Sequence, residues 1–326
     1  MKLGIVVPNF CGGVRGAEVP RPKSLRSFAV QCEKLGFHGL WVIDHLLVGW
    51  PIYTTNWLDP LITLAYLASE TTSIALGTSI LVLPMRSPMV VAKEFATLDV
   101  LSNGRTIFGA GVGWWDKEFE ATDIPKSERG KRLTEEIQLI KKVWTEENAS
   151  FKGSYYSINN VNLEPKPLQK PHPPIWMAGG SATGKASEIY KVRVDAVLKR
   201  VARFADGWIA RAYTNSENMK RDWDVLGSFL NQYGRSPSEM TFAHLTWMCT
   251  TDGKSEDSIR DTFAKCLSSS FENAKKEAVI GSKTDIVRKF EELAGIGVQY
   301  VIVWPASEDY DLLNFLAKDI MPSFGR

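Results

Sequence analysis

The residues best placed to do chemistry are a histidine and several glycines that close apolar runs. His45 follows the run Gly39-Leu40-Trp41-Val42-Ile43 directly, and it is one of four histidines in 326 residues. A histidine near its ordinary pKa donates or accepts a proton at working pH. His38 precedes the same run at its other end, His172 sits in a proline-rich stretch, and His244 lies within an apolar run, where a histidine is usually a core residue. Asp44 neighbours His45, but successive side chains of an extended chain point to opposite faces, so the two need not pair. Gly109, Gly111 and Gly113 strip side chains from the end of Thr106–Phe108. Bare backbone at a strand end makes room for another chain segment or for a flat ligand. Gly179-Gly180-Ser181 closes Ile175–Ala178 ahead of a helical pattern, and free N–H groups at a helix start bind anions. Lys185, Lys191, Arg193, Lys199, Arg200 and Arg203 follow, against only Glu188 and Asp195. Most of these cations belong to a solvated helix face; one or two are in reach of an anionic tail.

Other chemistries lose support. The GxGxG spacing does not fit a dinucleotide fingerprint, and Trp114-Trp115 occupies the space a pyrophosphate would need. There is no phosphate-loop run, no GxSxG and no HExxH, and no histidine or cysteine spacing suggests a metal site. Cys11, Cys32, Cys249 and Cys266 are scattered and read as free thiols in a reducing compartment.

These residues need elements to hold them. Leu3–Val7 is a short apolar run closed by Pro8-Asn9. A helical pattern over Ser24–Leu35 ends at Gly36, and Asp59-Pro60 opens another helix. Ile74–Leu83 is a third run, Met89–Leu101 a helix stopped by Asn103-Gly104, and Thr106 onward a fourth run. Glu128–Trp144 is amphipathic, and Phe151–Leu163 is an excursion shaped like a small hairpin. Further runs at Ile175–Ala178, Gly207–Ala210, Thr241–Cys249 and Val298–Trp304 alternate with helical segments. Continuous apolar strands separated by amphipathic helices describe a parallel sheet buried on both faces. Eight such units predict a (β/α)8 TIM barrel, with an open doubly wound sheet as the alternative. One domain over 1–326 is expected, with insertions near 46–58, 151–173 and 254–280. In a barrel the site lies where the strands end, at Asn9, Asp44, His45, Thr78, Ser79 and Ile80, and at Gly111, Gly113, Trp114 and Ala178 through Ser181.

Bulk properties are those of a soluble globular protein. Apolar residues make up 44% and charged residues 23%, with a net charge of +2. That balance argues against a broad nucleic-acid or membrane surface. The apolar N-terminus meets Pro8 too early for a signal sequence, and no apolar run reaches spanning length, so a cytoplasmic protein is expected.

Several stretches together resemble the luciferase-like monooxygenase family, which includes bacterial luciferase and the oxidoreductases that use coenzyme F420. They are CEKLGFHGLWVIDH, DPLITLAYLASETTSIALGTSILVLPMRSP, VAKEFATLDVLSNGRTIFGAGVGWWDKEFE, RGKRLTEEIQLIKKVW, PKPLQKPHPPIWMAGG and ARFADGWI. The resemblance implies a luciferase-like TIM barrel with insertions and an isoalloxazine-type ring over the strand ends. Asp44, Ser79, Ile80, Gly111, Ala178, Gly179, Gly180 and Ser181 match cofactor positions, and His45 matches the histidine at the reactive face. Ser79-Ile80 matches a non-proline cis peptide. Trp50, Trp114, Trp115 and Arg86 are assigned to the substrate pocket, although Arg86 fits a loop cap equally well. Trp114 stands where sugar-phosphate dehydrogenases of the family carry a glutamate acid, and Gly49 where they carry a tryptophan, which speaks against sugar-phosphate oxidation. The implied cofactor is F420 or FMN, with F420 favoured. The implied partners are a small organic substrate, a separate flavin or F420 reductase and a second copy in a homodimer, with no metal.

Overall fold

A computed structural model describes residues 1–9, 21–48, 56–183, 187, 193–260, 278–305 and 310–324. Eight apolar strands close into a parallel barrel. In chain order they are β1 (Lys2–Val6), β2 (Gly39–Val42), β3 (Ala75–Thr78) with its continuation β4 (Leu81–Val82), β5 (Thr106–Gly111), β8 (Ile175–Gly179), β9 (Gly207–Ala210), β10 (Thr241–Thr250) and β12 (Tyr300–Pro305). Between β5 and β8 lies a separate antiparallel hairpin, β6 (Ala149–Lys152) and β7 (Ser157–Val161). The barrel closes because β12 pairs with both β1 and β10, in the registers Gly4↔Ile302 and Leu245↔Ile302. The open-sheet alternative is thereby excluded.

Two departures from the sequence expectation concern strands. The run Ile74–Leu83 is not one strand: β3 stops at Thr78, the Ser79-Ile80 peptide is cis as the resemblance implied, and β4 resumes at Leu81. A further short strand, β11 (Val279–Gly281), pairs with Met248–Thr250 at the upper end of β10. It lies in the stretch expected to be a polar, helix-like insertion; residues 261–277 of that stretch are outside the described residues.

The helices follow the predicted pattern. They are α1 (Pro22–Lys34), α2 (Pro60–Glu70), α3 (Pro88–Leu101), α4 (Asp116–Ala121), α5 (Arg129–Thr145), α6 (Val194–Phe204), α7 (Ser216–Gln232) and α8 (Lys283–Gly295), with shorter turns to Phe324. Asp59 caps α2, accepting from the Leu61 and Ile62 N–H groups, with Pro60 at the first position. Apolar side chains form two buried clusters. One lies between strands and helices and includes Leu40, Leu76, Phe95, Phe108 and Ile140. The other fills the barrel interior and includes Trp41, Trp176, Tyr300, Trp247 and Trp304. Strands buried on both faces have to be apolar throughout, which is why their sequences do not alternate. No helix among the described residues is long and apolar enough to cross a membrane.

Candidate active site

The C-terminal ends of the strands enclose a cleft of about 610 Å³. The apolar side chains in its lining include Ile43, Ile80, Val82, Ile209, Leu245 and Trp304. The cationic side chains in its lining are Arg129, Lys131, Arg193, Arg200 and Arg211. His45, Ser79, Gly111, Trp114, Ala178 and Gly179 line it as well.

The loop after β2 brings His45 together with Glu118, Trp57 and Trp114. His45 has its Nδ1 at 3.1 Å from Glu118 Oε1. The same oxygen accepts the Leu46 and Leu47 N–H groups at 2.8 and 3.3 Å. Both side chains are almost fully buried, at 7% and 2% exposure. The imidazole lies between two indoles, with ring centres 5.0 Å from Trp57 and 5.9 Å from Trp114. Trp114 in turn stacks on Trp115 at 6.3 Å.

Asp44 turns the other way, as strand alternation predicts. Its Oδ2 accepts the Val82 N–H at 2.8 Å and its Oδ1 accepts from Arg86 Nη2 at 2.9 Å. Arg86 also donates to Asp59 at 3.2 Å. Burial alone would lower the Arg86 pKa; the Asp44 and Asp59 carboxylates outweigh it and hold the guanidinium above its ordinary value. Asp44 therefore pins the β3–β4 bulge to β2, and Arg86 is a tie rather than part of the cleft's lining.

The glycines on β5 serve the protein's own chain first. A Cβ on Gly109 would lie 1.7 Å from the Thr78 carbonyl oxygen, and one on Gly111 would lie 2.6 Å from Ile80 Cδ1. The bare backbone admits the displaced β3–β4 segment, which then presents Ser79 and Ile80 to the cleft. Ser79 Oγ is buried with no hydrogen-bond partner among the described residues. A buried hydroxyl left unpaired is uncommon and calls for an explanation.

At the Gly179-Gly180-Ser181 turn, Ala178 and Gly179 face the cleft, whereas Gly180 and Ser181 face α7. The buried Asp222 carboxylate accepts the Ser181 N–H at 2.6 Å and its hydroxyl at 2.8 Å. Arg221 donates to the same hydroxyl at 2.9 Å. The Ser181 donors are thus occupied by a carboxylate, and the cations nearby are the arginines. Arg200 donates to Thr134 Oγ1 at 3.0 Å, and burial, with Arg129 close by, pulls its pKa down to about 10. None of Arg129, Lys131, Arg193 and Arg200 makes an ion pair among the described residues.

Of the residues selected from sequence, His45, Asp44, Ser79, Ile80, Gly111, Ala178, Gly179 and Trp114 converge on one cleft. Gly180, Ser181, Trp115 and Arg86 do not line it, and Trp50 lies outside the described residues. Glu118 and Arg129 were missed. Nothing in the run Asp116, Lys117, Glu118, Phe119, Glu120 marks Glu118 as the buried acid, and Arg129 reads as the solvated start of a helix. His244 is a core residue as expected, its Nδ1 3.3 Å from the Ala210 carbonyl, with burial pulling its pKa down to about 4.

The luciferase-like monooxygenase family model matches residues 1–295, and the chain belongs to that family. It is 36% identical over 205 residues to an F420-dependent glucose-6-phosphate dehydrogenase of Kineococcus radiotolerans, a match covering 62% of this chain and 56% of that enzyme. The match thus spans little more than half of that relative's length. The chain is 29% identical over 246 residues to an FMNH(2)-dependent dimethylsulfone monooxygenase of Pseudomonas putida, covering 68% and 66%. Among solved structures, an F420-dependent secondary alcohol dehydrogenase superposes with a TM-score of 0.80 at 18% identity over 97% of both chains, a likeness of fold.

Proposed function

We propose that the protein is an oxidoreductase that binds a flavin-type cofactor in this cleft, with coenzyme F420 favoured, and acts on a small organic substrate. The observation that carries the reading is the lining of one cleft, apolar beside His45 and Ser79 and cationic at Arg129, Arg193 and Arg200, which make no ion pair among the described residues. A flat ring joined to an anionic tail matches that lining. Ser79 Oγ lacks the partner that a ring heteroatom would supply. Ile80, Ala178 and Gly179 would flank the ring, and Arg129, Arg193 and Arg200 would hold the tail in place of the occupied Ser181 turn. The bound cofactor would supply hydride transfer to or from the substrate, with the protein providing orientation and exclusion of water.

His45 serves as general acid or base toward the substrate. The indoles of Trp57 and Trp114 restrict its ring and keep water from it. Sugar phosphates do not suit the site. Trp114 stands in the acid's place, and Glu118, four residues on, has its Oε1 occupied by two backbone N–H groups and 3.1 Å from His45 Nδ1. A second reading, a monooxygenase fed reduced FMN by a separate reductase and using oxygen, draws support from the dimethylsulfone monooxygenase relative.

Anaerobic fluorescence titration of the purified protein with F420 and with FMN, oxidised and reduced, tests both. Tight binding of F420 alone supports the first reading and tight binding of reduced FMN alone the second. Binding of neither overturns both. His45→Ala is expected to lower turnover by about 10²–10⁴-fold, the range for a lost general acid or base, with cofactor binding retained.

A further inference from the structure

Glu118 is the buried acid that the functional reading leaves without a task. Its Oε1 accepts two backbone N–H groups, from Leu46 at 2.8 Å and Leu47 at 3.3 Å, and lies 3.1 Å from His45 Nδ1. Backbone N–H groups only donate, so this oxygen is an acceptor. A bare Nδ1 would set its lone pair against an oxygen already turned toward donors. Nδ1 therefore carries a hydrogen in both the neutral and the charged imidazole. The two side chains are 7% and 2% exposed, so water does not compete for the bond.

We propose that Glu118 is a positioning residue: it holds neutral His45 in the Nδ1–H tautomer and so makes Nε2 the nitrogen that exchanges a proton with the substrate. Neutral His45 then accepts a proton at Nε2, and charged His45 returns it from the same atom, without the ring turning. Glu118 also fastens the backbone of residues 46 and 47, so the ring and its supporting loop are held by one carboxylate. The importance of this for catalysis rests on the reading of His45 as acid or base; the tautomer itself does not.

Long-range proton–nitrogen correlation NMR on uniformly ¹⁵N-labelled protein reads it directly, because protonated and bare ring nitrogens resonate far apart. Four histidines make assignment by single His→Gln variants practicable. In the parent, at a pH where His45 is neutral, Nδ1 is expected in the protonated position and Nε2 in the bare one. Glu118→Ala is expected to move His45 toward the Nε2–H form while His38, His172 and His244 keep their signals. Glu118→Gln, whose amide oxygen accepts the same bonds, is expected to restore the parent pattern. An Nε2–H or mixed signal in the parent overturns the proposal without any variant having to fold. An unchanged signal in a folded Glu118→Ala protein overturns it too. Once turnover is available, Glu118→Ala is expected to lower kcat by about 10- to 100-fold, the usual range for a supporting group, with cofactor KM nearly constant. An Nδ1–H signal in a protein that binds no flavin leaves the tautomer standing and removes the functional reading.

Discussion

The two ends of the barrel are built from the same strands and treat polar atoms in opposite ways. At the N-terminal end Trp41, Trp176 and Tyr300 pack with ring centres 5.1 to 5.7 Å apart. The polar atoms of Trp41 and Tyr300 are satisfied. Trp41 Nε1 donates to the Tyr300 oxygen at 3.0 Å, and His38 Nδ1 lies 3.2 Å from the same hydroxyl. Burial, with Lys2 adding to it, pulls the His38 pKa down to about 4. At the C-terminal end Ser79 Oγ has no hydrogen-bond partner, and Arg129 and Arg200 line the cleft with no ion pair, among the described residues. One end is complete as folded; the other retains unmet hydrogen-bonding and charge demands. In such barrels the first pattern belongs to stability and the second to function.

Breaking the closed end should produce the largest effect. Trp41 is fully buried, and Gly77 leaves room for its six-membered ring, since a Cβ there would lie 2.6 Å from it. Trp41→Ala is expected to destabilise the fold by about 3–5 kcal/mol, the range for a deleted core aromatic. Urea unfolding measures it. Flavin affinity of the protein that remains folded should stay the same, and a lost affinity would undo the division between the two ends.

Glu136 sharpens the comparison because its unpaired oxygen lies away from any cleft. On α5 it is wholly buried: Oε1 accepts the Tyr156 hydroxyl at 2.6 Å and Oε2 has no partner. Burial pushes its pKa up to about 7 from 4.5. The protonated form is thus the one the fold prefers. Its stabilising contribution is full below about pH 4.5 and is lost as pH rises through about 7. Glu136→Gln should therefore match the parent near pH 4.5 and exceed it at pH 8, by on the order of 2–3 kcal/mol for a shift of that size. Urea midpoints at the two pH values decide it; equal midpoints at pH 8 would show that this oxygen carries no penalty.

Arg200 tests the open end. It donates to Thr134 within the wall, and its charge meets Arg129 instead of a carboxylate. Arg200→Ala is expected to weaken binding of a phosphate-bearing flavin by about 10- to 100-fold, the value of a charge-assisted hydrogen bond. Riboflavin, which lacks the phosphate, should bind parent and variant alike. Equal losses for both ligands would place Arg200 among the structural residues.

Legibility in the sequence follows the same division. The strands were readable because burial on both faces demands unbroken apolar runs, and His45 because it follows one of them. Two features were not readable. The glycines Gly109 and Gly111 look like clearance for a ligand, yet the atoms they clear are Thr78 O and Ile80 Cδ1, supplied by a chain segment some thirty residues earlier. Likewise Glu118 meets His45 across 73 residues, a pairing that local periodicity does not encode. Asp222, which occupies the Ser181 turn, lies 41 residues beyond it and was invisible for the same reason. Residues that line a cleft through their own strand were found; residues that act through a partner from another unit were not.

The smallest effect is the most discriminating. Ser79 is 5% exposed and its Oγ has no partner, so the hydroxyl has lost its water without gaining a hydrogen bond. An unpaired buried polar group destabilises a fold, and removing it relieves the penalty. Ser79→Ala should therefore leave the ligand-free protein as stable as the parent or more stable by about 1 kcal/mol. The same change should weaken flavin binding by about 3- to 10-fold, one neutral hydrogen bond. Opposite signs in the two measurements are the mark of a group kept for a ligand. Glu136→Gln, by contrast, should improve stability and leave binding untouched. If Ser79→Ala lowers stability and binding together, the serine belongs with the closed end, and the contrast between the two ends loses its sharpest element.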